Sequence, residues 1–136
     1  MQQINLNIYD YKTILVGIFL FIHGFVYFNL SRGVLSNPEN QLGASVLVGN
    51  LLNKNTLDLS IKVLWLVAGL GFIIIGILVT FKQQPGGLTN QILIVSSIIG
   101  IISFALYWDG IISSLLNAGV IGAGIDIVII LIILFY

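Results

Sequence analysis

The sequence predicts an all-α integral membrane protein, a four-helix up-down bundle that forms a single transmembrane domain over residues 1–136. Composition is the first indication, because 58% of the residues are hydrophobic and only 7% are charged, whereas soluble proteins are about 25% charged. The second is a set of four apolar stretches, each near the roughly 20 residues that cross a bilayer. The third is that polar turns separate most of these stretches, which favours an up-down arrangement.

The four predicted spans lie at residues 13–30, 61–81, 91–108 and 117–136. Residues 31–60 form the one long loop, and its stretch 41–53 is apolar enough for a short helix on the membrane surface or against the bundle. Pro85 and two glycines break the chain between the second and third spans. Four spans place both termini on the same side of the membrane, and the few basic residues do not decide which side.

Aromatic residues near the ends of the spans support this assignment. Tyr11 precedes the first span and Tyr27 lies towards its end, while Trp65 lies near the start of the second span and Trp108 ends the third. Aromatic side chains of this kind anchor helices at the membrane–water interface. We therefore expect the lipid bilayer to surround most of the chain.

Small residues recur on one face of each span. Helices in lipid associate through close backbone contact, so their interfaces favour glycine, alanine and serine. In the first and second spans the glycines are seven residues apart, close to two helical turns, and so share a face. The predicted packing positions are Gly17, Gly24, Gly69, Gly76, Ser96, Gly100, Ser103, Gly119, Gly122 and Ala123.

Two ionisable residues lie deep inside the spans. His23 is about eleven residues into the first span and Asp126 about ten into the fourth, so both lie roughly 15 Å deep. A charge at that depth costs about 2.5–3.5 kcal/mol and needs a partner. The first and fourth helices are neighbours in a closed up-down bundle, which makes a His23–Asp126 pair our hypothesis. The pair could clamp the helices or form a proton or quinone site, and in the other arrangement each residue meets a different partner, such as another subunit.

The residues that the sequence lacks exclude several functions. With no cysteine and one histidine, the chain has no disulfide or thiolate metal site, and it does not supply two imidazoles to a haem. Its formal net charge is zero and it has no basic cluster, which argues against nucleic-acid binding. No hydrolytic triad or nucleotide-binding loop is present. We expect no metal, no cofactor except a quinone held between helices, and no catalytic activity of its own.

Three stretches resemble a known family. The segment GIFLFIHGF, with its His23–Gly24 pair, is similar to the first helix of DoxX-like four-helix membrane proteins. The stretches LWLVAGLGFIIIGILV and GAGIDIVIIL look like the second and fourth helices of that group. The resemblance implies a four-helix membrane protein and, as in some members, a link to membrane redox systems such as thiosulfate–quinone oxidoreductase.

These observations lead to one main functional hypothesis and two alternatives. The first is an accessory or structural subunit of a larger membrane complex, such as a respiratory or monooxygenase-type redox enzyme, packed against other subunits or against copies of itself. The second is a DoxX-like, quinone-linked redox protein with its site near His23 and Asp126. The third is a small transporter, for which two central ionisable groups and spans without proline give little support.

Overall fold

The computed structural model describes residues 8–36, 53–81, 86–108 and 119–135. They form four α-helices: α1 (Ile8–Ser36), α2 (Lys54–Thr80), α3 (Gly87–Tyr107) and α4 (Val120–Phe135). The predicted all-α class with four helices is confirmed. Three helices are long and apolar enough to cross a membrane, over Tyr11–Ser31, Asn55–Thr80 and Gly87–Tyr107.

Helices α1 and α2 both extend into residues 31–60, which the sequence predicted to be a loop. Helix α1 continues to Ser36, and α2 already begins at Lys54. The side chain of Asn53 caps α2 by accepting a hydrogen bond of 2.8 Å from the backbone N–H of Thr56. The prediction placed the helix ends too close to the apolar runs, because a helix can continue through polar residues where it leaves the lipid. Residues 37–52, which include most of the predicted short helix, lie outside the described residues.

Helix α4 is shorter than the span predicted at residues 117–136. Its described part begins at Val120 and has 16 residues, about 24 Å of helix. Gly119 precedes it with a φ of 88°, a left-handed conformation that glycine adopts without steric cost. Gly119 therefore belongs to the turn before α4 and not to a helix packing face; residues 117, 118 and 136 lie outside the described part.

Helices α1 and α2 pack through their glycines, as an antiparallel pair. A Cβ atom added to Gly24 would lie 2.6 Å from the carbonyl oxygen of Gly69, and one added to Gly69 would lie 2.8 Å from the carbonyl oxygen of Gly24. Gly17 and Gly76 face each other in the same way, with corresponding distances of 2.8 and 2.7 Å. The two backbones are thus in direct contact at two levels, which only glycine permits.

Helix α3 packs against the opposite side of α2. Ser96 lies against Gly71, where an added Cβ would be 3.2 Å from the Cβ of Ser96. Nearer the other end of α3, the rings of Trp65 and Tyr107 are 5.0 Å apart. Trp65 is almost completely buried, so its prediction as an interfacial anchor is wrong. Since α2 starts earlier than predicted, Trp65 lies three turns inside the helix and joins the core.

Consecutive helices form the extensively packed pairs: α1 with α2, α2 with α3 and α3 with α4. Within the described helices, α1 and α4 are not such a pair. They approach each other through side chains, with Leu30 opposite Gly119 at one level and Tyr27 opposite Gly122 at the next. We call this boundary between α1 and α4 the α1–α4 seam.

Replacing Gly24 with alanine tests the contact between α1 and α2. The added methyl group would collide with the backbone of Gly69, so Gly24→Ala is expected to lower the free energy of unfolding in mixed micelles by about 1–3 kcal/mol. The control is Gly124→Ala, because a Cβ at Gly124 has nothing within 4 Å; it should leave stability unchanged or slightly raised. Equal stability of the two variants would show that α1 and α2 are not in backbone contact.

Candidate functional site

Two side chains of α1 converge on one carboxyl group of α4. The Nε2 atom of His23 lies 2.9 Å from Oδ1 of Asp126, and the hydroxyl of Tyr27 donates a hydrogen bond to Oδ2 of Asp126. His23 and Tyr27 are four residues apart, so they lie one above the other on the same face of α1. Both oxygens of the carboxyl group are therefore engaged by α1. We call these three residues the His–Asp–Tyr cluster.

The cluster is closed off from its surroundings. Asp126 is 0% exposed, Tyr27 is 3% exposed and His23 is 4% exposed. A buried polar group without a partner costs several kcal/mol in an apolar environment, and here both oxygens of Asp126, Nε2 of His23 and the hydroxyl of Tyr27 are hydrogen-bonded within the cluster. The two hydrogen bonds of the cluster thus connect α1 with α4.

Aromatic rings surround the imidazole of His23. The ring of Phe72, from α2, lies 4.7 Å away and nearly perpendicular, and the ring of Tyr27 lies 5.2 Å away in a similar edge-on arrangement. Phe19 stacks one turn earlier at 6.2 Å. Phe72 itself is completely buried. These contacts fix the plane of the imidazole, so that Nε2 is directed at Asp126.

Two glycines provide the space for the cluster. A Cβ atom at Gly100 of α3 would overlap Oδ2 of Asp126 and would lie 2.9 Å from Cζ of Tyr27. A Cβ atom at Gly122 of α4 would lie 3.4 Å from the hydroxyl oxygen of Tyr27. The tyrosine of α1 therefore inserts between α3 and α4, and the absence of side chains at these two positions makes that insertion possible.

The hydrogen bond between His23 and Asp126 requires one proton, whichever of the two groups carries it. One proton lies between Nε2 of His23 and Oδ1 of Asp126. With the second ring nitrogen also protonated, the pair is neutral overall, either as imidazolium with carboxylate or as imidazole with carboxylic acid. A neutral pair avoids the cost of a net charge in an apolar interior. The electrostatics thus favour a pair that is neutral overall and held by two hydrogen bonds across the α1–α4 seam.

The structure brings the hypothesised partners His23 and Asp126 together and adds Tyr27, which the sequence pattern did not place in the site. Its position near the end of the first span indicated an interfacial anchor instead. Its four-residue spacing from His23 was the signal that placed it on the same face. Of the remaining predicted positions, Ala123 is buried one turn before Asp126, and the hydroxyl of Ser103 donates to the carbonyl oxygen of Ile99 at 2.6 Å.

The two donors that would meet a quinone carbonyl, on His23 and Tyr27, are directed at Asp126, and all three side chains are buried. Within the described residues there is also no group of three or more histidine, aspartate or glutamate side chains arranged to hold a metal ion. The contacts that the structure shows for these three side chains connect α1 with α4.

No protein-family model matches the chain, and no curated protein and no solved structure matches it either.

A double-mutant cycle measures the contact between His23 and Asp126. We expect His23→Gln and Asp126→Asn each to lower the free energy of unfolding in mixed micelles. The decrease in the double variant should be smaller than the sum of the two single decreases. The difference, a coupling energy of roughly 0.5–2 kcal/mol, arises because both single changes remove the same interaction. Thr80→Val is the control, since the Thr80 hydroxyl donates within α2 to the carbonyl oxygen of Gly76. The effects of Thr80→Val and Asp126→Asn on the free energy of unfolding should add when the two changes are combined. Additivity of the His23 and Asp126 changes would rule out the direct contact.

Proposed function

We propose that this chain is a multi-pass integral membrane protein that acts as an accessory or structural subunit of a larger membrane complex. The proposal combines three features: an apolar exterior, a closed polar cluster between helices, and an exposed apolar face on α4. Each feature supports a different part of the proposal.

The distribution of apolar side chains supports insertion into lipid. Large apolar residues are exposed along all four helices, for example Ile22 on α1, Leu70 on α2, Ile98 on α3 and Leu131 on α4. The buried positions, in contrast, include serines and the His–Asp–Tyr cluster. Soluble proteins rarely expose apolar patches of this extent, whereas lipid is an apolar solvent in which polar groups turn to the bundle interior.

The closed His–Asp–Tyr cluster is the observation that carries the structural role. An enzyme or transporter needs a polar group that substrate can reach, and at this cluster the polar groups are buried and bonded to one another. Their interaction energy joins α1 to α4. This supports a scaffolding function over the quinone-linked and transporter alternatives.

The exposed apolar face of α4 supports a neighbouring subunit. Apolar residues on the outer side of α4, including Ile127, Leu131 and Ile132, are exposed. A membrane helix of a partner subunit packed along α4 would cover them. The resemblance to DoxX-like proteins favours a redox-type host complex.

Gentle extraction of the chain from its native membrane tests this proposal. The chain should remain in the membrane pellet after an alkaline wash, and after mild detergent extraction it should migrate with stoichiometric partner subunits identified by mass spectrometry. Leu131→Ser, on the outer side of α4, should weaken that association. Ile18→Ser, at an equally exposed position of α1, is the matched control and should retain it. A chain that leaves the membrane in the wash would contradict insertion, and a lone monomer in mild detergent would contradict the subunit role.

A further inference from the structure

We propose that the His–Asp–Tyr cluster is a proton-controlled latch, in which uptake of one additional proton releases α4 from α1. The latch lies in the α1–α4 seam, the boundary between these helices that lacks extensive packing in the described part of the bundle. It rests on the membrane insertion proposed above, but it does not require a host complex.

The first step of the argument is the mismatch that a further proton creates. With the imidazole already protonated at both nitrogens, a proton on Oδ1 of Asp126 would face the N–H of His23, so that two donors oppose each other. A proton on Oδ2 would face the hydroxyl of Tyr27, which donates to that oxygen. Either way, one of the two hydrogen bonds that cross the seam has to break or reverse.

The second step is the uncompensated charge. A further proton gives the cluster a net positive charge, and the elements packed around it offer no anion. Helix α2 presents Phe72 and α3 presents Gly100; in the described residues, α3 and α4 contain no carboxylate other than Asp126. Asp58 of α2 is fourteen residues, about 21 Å, from Phe72. Opening the seam to water would relieve this cost, which a closed apolar interior imposes.

The charges on α1 do not compensate either. Lys12 and Arg32 are eleven and nine residues from His23 along the helix, and both are cations, so they disfavour an added positive charge. Asp10 is thirteen residues away, about 20 Å along the helix. Within the part of the chain that the structure describes, the cluster therefore has no carboxylate beside it other than Asp126 to balance the added proton.

The third step is that α4 has the means to move. Its first residue follows Gly119, whose φ of 88° marks a sharp turn at one end of the helix. On α4 itself, Gly124 has nothing within 4 Å of its Cβ position. Without the hydrogen bonds of Asp126, α4 is held to the described bundle mainly by α3. Rotation about its Gly119 end would separate the far end of α4 from α1.

Distances between spin labels test the latch in lipid nanodiscs. The sequence contains no cysteine, so pairs of introduced cysteines label the full chain uniquely. Ile18 and Leu131 are exposed positions on α1 and α4, on the side of the cluster away from Gly119. Lowering the pH from about 8 to about 4 should add a longer-distance population to the Ile18→Cys/Leu131→Cys pair.

Two controls separate the latch from a general effect of acid. The Ile18→Cys/Ile74→Cys pair, on the glycine-packed helices α1 and α2, should keep one distance at both pH values. In a His23→Gln/Asp126→Asn background, which has no group of the cluster left to take up the proton, the α1–α4 distance should not depend on pH. A constant α1–α4 distance in the unaltered cluster, or an equal change in the amide background, would overturn the latch. Failure of the chain to reconstitute into nanodiscs would instead count against membrane insertion.

Discussion

The fold depends on how a carboxyl group can be placed in an apolar interior. Asp126 is completely buried, and α1 supplies hydrogen-bonding groups to both of its oxygens. The same bonds connect two helices that are not an extensively packed pair, so the requirement to satisfy one polar group also closes the bundle. In lipid, where helices gain little from the hydrophobic effect on meeting, such polar contacts help to define which helices are neighbours.

The bundle is held together in two different ways. Helices α1 and α2 are in backbone contact at Gly17–Gly76 and Gly24–Gly69, an interface that depends on shape and on no ionisable group. The α1–α4 seam depends on titratable side chains. Gly100 of α3 and Gly122 of α4 leave the space that Tyr27 occupies. One half of the bundle is therefore expected to be insensitive to pH, while the other half contains the groups that respond to it.

The sequence predicted the helices better than their ends, and the site only in part. Hydropathy identifies the part of a helix that faces an apolar environment, so it missed the polar starts and ends of α1 and α2. The equal depth of His23 and Asp126 was sufficient to suggest their pairing. Tyr27 and Trp65 were assigned to the membrane interface because aromatic residues near span ends usually lie there. Their burial depends on the full length of the helices and on the space left by glycines of other helices, which local sequence does not reveal.

The central claim is tested most directly by the nitrogen spectrum of the one histidine in the chain. With ¹⁵N-labelled histidine in nanodiscs, the account predicts an Nε2 signal that is protected from exchange with water and shifts strongly in Asp126→Asn. Asp58→Asn, at the start of α2, should leave the signal unchanged. An imidazole that exchanges freely with water and is indifferent to Asp126→Asn would contradict the account.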